Sequence, residues 1–270
     1  MGAWLRDRLP ERVDVARMLA DERFVYDTGN AVDEDHAYAP HTFVWFHRDL
    51  PDEVDVPGEI HVLHRDDRLV VVDKPAFLSS IPRGRHVRQS VVVRLRDELG
   101  LPELSPLHRL DRVTSGLLLL ATERRWRGAY QTLFQEGEVR KTYRALAPVR
   151  SGLELPVVVR DHITKRRGTW QSEVVPDAPV NAETLVELES RLGEAGVYRL
   201  TPRTGRTHQL RLHMHGLGIP IVDDPLYPTV HDIAVDDFSR PLQLLAAELE
   251  LTDPFDGKNR RFESVRSLPL

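Results

Sequence analysis

Apolar and polar residues alternate along this chain in a pattern that changes every ten to thirty residues. Ile60-His61-Val62-Leu63-His64 and Leu69-Val70-Val71-Val72 are short apolar-rich runs separated by Arg65-Asp66-Asp67-Arg68, which predicts two strands joined by a polar turn. Val91–Leu99 has helical spacing and Gly100 ends it. Leu117-Leu118-Leu119-Leu120-Ala121 is an unbroken apolar run after Gly116, as expected of a buried strand. Tyr130–Gly137 predicts a helix and Lys141–Ala147 an alternating strand. Thr184–Ser190 and Gly196–Thr201 predict a further strand pair, His208–His215 a helix, and Leu242–Leu251 a mixed segment with a strand at its end. Strands and helices interleave without regular βαβ spacing, so the expectation is an α+β fold with a mixed sheet.

The first 50 residues behave differently. Val13, Ala16, Met18, Leu19 and Phe24 fall roughly at helical spacing, Gly29-Asn30 marks a turn, and Thr42–Phe46 reads as a strand. Pro51–Gly58 reads as a linker, which predicts a small N-terminal domain over 1–52 and a large one over 53–270. The chain has 270 residues and no cysteine, so disulfides, thiolate nucleophiles and cysteine-based metal or cluster sites are excluded. Met1–Glu11 mixes Arg, Asp and Glu without an apolar stretch, and no run approaches the length of a membrane span, so a cytoplasmic protein is the expectation.

Net charge is −5, and its distribution says more than its sum. Residues 1–60 hold 14 acids against six arginines, a balance of −8, whereas the remainder holds 31 Lys and Arg against 28 acids. Basic residues cluster there: Arg83, Arg85, Arg88, Arg94 and Arg96; then Lys165, Arg166 and Arg167; then four arginines and no acid over Arg199–His215. Such clusters are either solvated surface or a local phosphate footprint on an otherwise acidic protein.

Candidate chemistry begins at His108-Arg109-Leu110-Asp111-Arg112-Val113-Thr114-Ser115-Gly116. Asp111 stands between two arginines, just before the buried run. A carboxylate on a loop at a sheet edge is well placed for catalysis, and neighbouring guanidinium groups favour its ionised, nucleophilic form. It could equally cap the following turn or pair with Arg112. Arg203–His215 is a positive, hydrogen-bonding segment in which Arg211 shares a helix face with His208 and His215. Its three histidines fit no common zinc spacing, so no metal is expected. Asp73-Lys74-Pro75 closes a strand with a charged pair. Lys141 and Tyr143 share one strand face, Tyr143 being either a core aromatic or a group that stacks on a base.

These pieces, in this order and together with Asp224-Pro225-Leu226-Tyr227, resemble the signature of the RluA-type pseudouridine synthases over about residues 60–250. The resemblance implies a largely antiparallel central sheet with flanking helices, and isomerisation of uridine to pseudouridine in rRNA or tRNA without a cofactor. It also implies an RNA stem-loop as partner and a monomeric protein. By position, Asp111 is the nucleophile or acid–base residue, Tyr143 stacks on the base and assists proton movement at the sugar, and Arg211 pairs with Asp111. Arg109 fills the space left by a flipped uridine, and Lys74, Lys141, Arg206, His208, Gln209 and Arg112 contact RNA. Three positions depart from the family pattern: Ala76-Phe77 where a Gly usually stands second, Asp223 where a Gly often precedes Asp224, and Leu244-Leu245-Ala246 where Leu-His-Ala is usual. They leave the RNA target open. The N-terminal segment is similar to a ribosomal-protein-type RNA-binding domain, although its negative charge suits packing or recruitment of a partner as well.

Two rival readings carry less of the sequence. Asp27-Thr28-Gly29 imitates the loop of an aspartic protease, but a second such loop is absent and only a homodimer would supply it. A non-catalytic RNA-binding module that keeps the fold would have no use for Asp111, Tyr143 and Arg211 together.

Overall fold

The computed structural model describes every residue except 12, 48, 50, 51, 85, 269 and 270. Pro51 of the expected linker and Arg85 of the first basic cluster therefore lie outside the described residues. The chain divides into two compact units, Met1–Asp52 and Glu53–Leu270.

The first unit contains α1 (Gly2–Arg8), α2 (Val15–Ala20), β1 (Phe24–Tyr26) and β2 (Val44–Phe46), with β1 and β2 antiparallel. Asp14 caps α2 by accepting the Arg17 N–H at 3.0 Å. Met1, Leu5, Val15, Met18, Leu19, Phe24 and Val32 form its core. The helical spacing of Val13–Phe24 overran the helix, because Phe24 belongs to β1. Asp27 is exposed in the tight turn after β1, where Gly29 takes φ +83°.

The second unit runs β3 (His61–Arg65), β4 (Leu69–Lys74), α3 (Val91–Leu99), β5 (Ser105–Pro106), β6 (Ser115–Ala121), α4 (Arg124–Glu136) and β7 (Arg140–Pro148). It continues β8 (Val157–Asp161), β9 (Ile163–Thr164), β10 (Glu173–Val174), β11 (Ala182–Leu192), β12 (Ala195–Pro202), α5 (Gln209–Gly216), β13 (Leu244–Thr252) and β14 (Asn259–Glu263). Among the described residues a large sheet has the order β3-β4-β6-β13-β7-β12-β11-β8, with β14 on β13 and β5 on β6. Its β6–β13 pairing is parallel and its other described pairings are antiparallel. The fold is the expected α+β architecture with a mixed, largely antiparallel sheet.

The apolar runs of β4 and β6 are buried on both faces. Val70, Val72, Leu118 and Leu120 meet Val91, Val92 and Leu95 of α3. Leu69, Val71, Leu117 and Leu119 meet Tyr130 and Leu133 of α4. Burial of each such side chain contributes roughly 1.5–3 kcal/mol. That outweighs the ~0.5 kcal/mol per residue by which β-branched valines disfavour the first turn of α3. Gly116 sits where β6 meets β13. A Cβ there would lie 2.3 Å from the Ala246 carbonyl oxygen, and its φ is +107°, so only glycine lets the two backbones approach.

Three expectations need correcting. α4 begins at Arg124, six residues before Tyr130, because its first two turns are charged and carry one Trp and one Gly rather than a repeating apolar stripe. The mixed segment Leu242–Leu251 is strand almost throughout, with β13 covering Leu244–Thr252. β8 and β14, at or near the sheet's edges, went unread; β14 is the exposed, polar Asn-Arg-Arg-Phe-Glu. Among the described residues no helix is long and apolar enough to cross a membrane.

Candidate active site

The loop carrying Asp111 joins β5 to β6 and is pinned on both sides of the aspartate. His108 Nε2 accepts the Leu119 N–H at 3.1 Å, while its ring stacks on Phe134 at 4.7 Å between centroids. Burial, helped by the charge of Lys141, pushes the His108 imidazole down to about 3, so it stays neutral. Leu110 exchanges hydrogen bonds with Ser80, its N–H donating at 3.1 Å and its carbonyl accepting at 2.9 Å. The Arg112 carbonyl accepts from Lys74 Nζ at 3.2 Å. The main-chain carbonyl of Asp111, not its carboxylate, closes the turn by accepting the Thr114 N–H at 3.1 Å, which leaves the carboxylate to a partner outside the turn. Arg112 does not pair with it: its guanidinium lies over the Phe77 ring, 5.6 Å from the centroid, and donates to the Phe77 carbonyl.

The partner of Asp111 arrives from α5. This helix is buried nearly all round, from Gln209 to Met214, so its polar side chains need internal partners. Arg211 is 2% exposed. Its Nε donates to Asp224 Oδ2 at 2.8 Å, its Nη2 donates to Asp224 Oδ1, and its Nη1 donates to Asp111 Oδ2 at 3.3 Å. Burial works against this charge. The hydrogen bonds and charge of Asp224, then the charge of Asp111, outweigh it and hold the guanidinium above its ordinary pKa. Asp224 is sealed, and its Oδ1 also accepts the N–H groups of Leu226 and Tyr227 at 2.8 and 3.1 Å. Asp111 keeps 33% of its side chain exposed. One buried arginine therefore spans a sealed carboxylate and an open one.

Around this pair stand His208, Tyr143, Lys165 and Lys74. His208 precedes α5 with φ +59°, and its Nε2 lies 3.8 Å from Asp111 Oδ2. Burial, opposed by Asp111 and reinforced by Arg211 and Lys165, pushes its imidazole down to about 4. Tyr143 on β7 has its phenol raised first by burial and then by the negative charge of Asp111, so it stays a neutral hydroxyl. Lys165 feels Asp111, Arg83 and Arg211; desolvation and the two arginines lower its ammonium against the pull of Asp111.

The other expected RNA contacts separate by burial into three groups. Lys74 and Gln209 lie inside the fold rather than on its surface. Lys74 is 0% exposed, and its ammonium donates to the carbonyls of Pro75, Leu78 and Arg112 at 2.9, 2.8 and 3.2 Å. Burial pushes it down to about 7, against the pull of Asp111. Gln209 accepts from Thr204 and the Arg206 N–H and donates to Glu183 and Thr184, which uses its whole amide. Arg109 and Arg206 are exposed; Arg206 donates to the Asn181 carbonyl, and Arg109 makes no hydrogen bond or ion pair to a described residue. Lys141 is half-buried and near His108. Within the basic clusters, Arg166, Arg199 and Arg203 pair with Glu173, Glu189 and Glu183, so they are partly neutralised. The three histidines of the α5 segment share no common ligand point: His208 lies between Asp111 and the Tyr227 hydroxyl, His213 faces Asp161 at 3.5 Å, and His215 packs beside the Tyr227 ring.

Sequence reading gave no individual role to Asp224, Tyr227 or Ser172, and read Lys165 only as part of a basic cluster rather than as a neighbour of Asp111. Arg211 was the available signal: a cation on an apolar helix in a segment without acids has to find its carboxylate elsewhere. Two of the three family departures have a backbone cause. Phe77 and Asp223 stand where glycine is usual, and both take positive φ, +66° and +59°. Phe77 is held there by burial and by the Phe238 ring at 5.4 Å, and Asp223 by an ion pair with Arg240. Leu245 is buried opposite Ser115 in the parallel pairing.

Comparison with known proteins identifies the family. Residues 68–216 match the model of the RNA pseudouridylate synthase family. The dual-specificity RNA pseudouridine synthase RluA of Yersinia pestis is 33% identical over 213 residues, covering 75% of this chain and 97% of its own. Human pseudouridylate synthase RPUSD2 is 32% identical over 218 residues, 81% of this chain but 39% of that longer protein. The solved structure of human RNA pseudouridylate synthase domain containing 4 superposes with a TM-score of 0.59 at 26% identity, covering 77% of this chain and 89% of that one. The chain belongs to the RNA pseudouridylate synthase family, with RluA-type relatives, and is an RNA pseudouridine synthase. Its reaction class is an isomerisation and its substrate class is RNA.

Proposed function

We propose that Asp111 is the catalytic carboxylate of an enzyme that flips a uridine out of an rRNA or tRNA stem-loop and isomerises it, acting as a monomer. The observation that carries this reading is the Asp224–Arg211–Asp111 array, in which Arg211 is anchored by a sealed carboxylate and presents the open one. In the reaction the N1–C1′ glycosidic bond breaks, a C5–C1′ bond forms, the C5 proton leaves and N1 gains a proton. Atoms and electrons balance with no oxidant or group carrier, in keeping with a site of one nucleophile and fixed hydrogen-bonding groups. The glycosidic bond cannot be reached inside a base stack, so flipping precedes chemistry. A loop uridine costs least to extract because it is already partly unstacked.

Asp111 serves as nucleophile or acid–base group at the sugar–base junction, and Arg211 positions it. Tyr143, a neutral phenol beside Asp111, stacks on the base and assists proton movement. Arg109, exposed and without a described partner, enters the space left by the uridine. Arg206 and Lys141 contact the backbone. Lys74 and Gln209 act indirectly, Lys74 by tying the 74–78 loop to the Asp111 loop and Gln209 by fixing the approach to α5. Mapping pseudouridines in rRNA and tRNA from cells with and without the protein tests this reading. At least one pseudouridine disappears with the protein and returns on complementation; an unchanged map would overturn the reading.

A further inference from the structure

The edge of the site between His208 and Asp111 carries an unmatched hydrogen-bonding requirement. The Tyr227 hydroxyl accepts the Ser172 N–H at 2.7 Å, faces the Ser172 carbonyl at 3.0 Å, and lies 3.0 Å from His208 Nδ1. A phenol has one proton. Ser172 is 2% exposed and its carbonyl can only accept, so the phenol proton belongs there. His208 Nδ1 must then be the donor to the Tyr227 oxygen. A neutral imidazole carries a single N–H, which leaves Nε2 a bare acceptor. That acceptor lies 3.8 Å from Asp111 Oδ2, another acceptor, which already receives Arg211. Two acceptors stand side by side with no donor between them among the described residues. The Nδ1 contact with the Tyr227 hydroxyl at 3.0 Å and the edge-on packing against the Tyr227 ring hold the His208 ring in this placement.

We propose that His208 Nε2 accepts the 2′-hydroxyl proton of the target nucleotide, which makes His208 a specificity-determining residue for ribose over deoxyribose. The inference rests on the synthase reading above. Within an RNA chain a uridine offers two hydrogen-bond donors, N3–H and the 2′-hydroxyl, because its 3′ and 5′ oxygens are esterified. The bonds that change are at C1′, so Asp111 stands at the sugar–base junction. The 2′-hydroxyl is borne on C2′, bonded directly to C1′. N3–H points out of the far edge of the ring. The donor that the Asp111–His208 pair requires is therefore the 2′-hydroxyl, the group by which a protein tells RNA from DNA.

The test is a cycle of variant against substrate. His208→Asn keeps an amide nitrogen near the Nδ1 position, has no atom at Nε2, and suits a positive φ. His208→Gln returns an acceptor near Nε2. The probe is the stem-loop whose pseudouridine depends on the protein in the mapping experiment, synthesised with uridine or with 2′-deoxyuridine at that one position. Wild-type protein converts the deoxy probe with kcat/KM about 3- to 10-fold lower, the range of one neutral hydrogen bond. His208→Asn loses a similar factor on the uridine probe and nothing further on the deoxy probe, and His208→Gln regains part of the loss on the uridine probe only. Equal losses on both probes would overturn the inference. Failure of wild-type protein to convert the uridine probe would overturn the synthase reading instead, and that arm reports it alone.

Discussion

Replacing Asp224 by asparagine removes the charge of the buried carboxylate while keeping its shape. In the native site Arg211 Nε and Nη2 donate to the two Asp224 oxygens, and Oδ1 also accepts the Leu226 and Tyr227 N–H groups. An asparagine can keep its one oxygen toward Leu226, Tyr227 and Nη2. Its amide nitrogen then faces Arg211 Nε, donor against donor, and a guanidinium only 2% exposed is left with Asp111 as its one carboxylate at 3.3 Å. Breaking one side of a buried ion pair costs about 3–5 kcal/mol. In a unit of this size each kcal/mol lowers Tm by about 2–4 °C, so the expected fall is about 6–20 °C. Because Arg211 also orients Asp111, kcat falls by about 10- to 100-fold while KM changes little. Adding Arg211→Met to Asp224→Asn removes the orphaned charge, so the double variant melts above the single one although its kcat falls further, Asp111 having lost its Arg211 partner. Thermal melting followed by circular dichroism reads the stability, and timed pseudouridine formation reads kcat. An Asp224→Asn protein that melted within about 2 °C of wild type would refute the reasoning.

Gly116→Ala places a methyl group against the Ala246 backbone at a positive φ; strain and overpacking together cost about 2–6 kcal/mol, seen as a large fall in Tm, and an unchanged Tm would remove the close-approach argument. Phe77→Gly relieves about 1–2 kcal/mol of left-handed strain but forfeits about 3–5 kcal/mol of ring burial, so a net loss of about 1–4 kcal/mol is expected in urea unfolding, and a gain would contradict it. His108 and His208 are held neutral by burial at about 3 and about 4, whereas in the unfolded chain they titrate near 6.5. Between pH 6.5 and 4 the unfolded chain binds protons that the folded chain refuses, so stability falls as pH falls, by up to about 1.4 kcal/mol per pH unit for each histidine. Urea unfolding across that window checks it: His108→Gln flattens the slope, and an unchanged slope in that variant would show that His108 does not contribute.

What was legible beforehand followed burial. Leu117–Ala121 announced its strand because both its faces are covered, and Val91–Leu99 its helix because one face packs on β4 and β6 and Gly100 ends it in a left-handed turn. β14 was invisible because Asn259–Glu263 has little apolar content and relies on hydrogen bonding to β13. Within the site, Asp111 looked like a turn aspartate between two arginines, yet neither flanking guanidinium pairs with it. Its partner lies 100 residues later in sequence, on α5. The ordered motifs brought Asp111, Tyr143 and Arg211 together as a resemblance, but single positions could not say that Arg211 needs Asp224 behind it. Nor could they place Lys74 and Gln209 inside the fold. Lys74 was expected to contact RNA, and only the three carbonyls that surround its ammonium show that it is used inside the fold. Phe77 and Asp223 looked like departures from glycine, whereas the backbone keeps the left-handed turn and lets other contacts hold it.

The most direct test of the central claim is single-turnover pseudouridine formation by the Asp111→Asn variant on the mapped target RNA, with RNA binding measured in parallel. The variant is expected to bind within about 3-fold of wild type and to form pseudouridine at least about a thousandfold more slowly, since the catalytic oxygen is lost while the surface is kept. Pseudouridine formation within about tenfold of wild type by the folded variant would show that Asp111 is not the catalytic carboxylate.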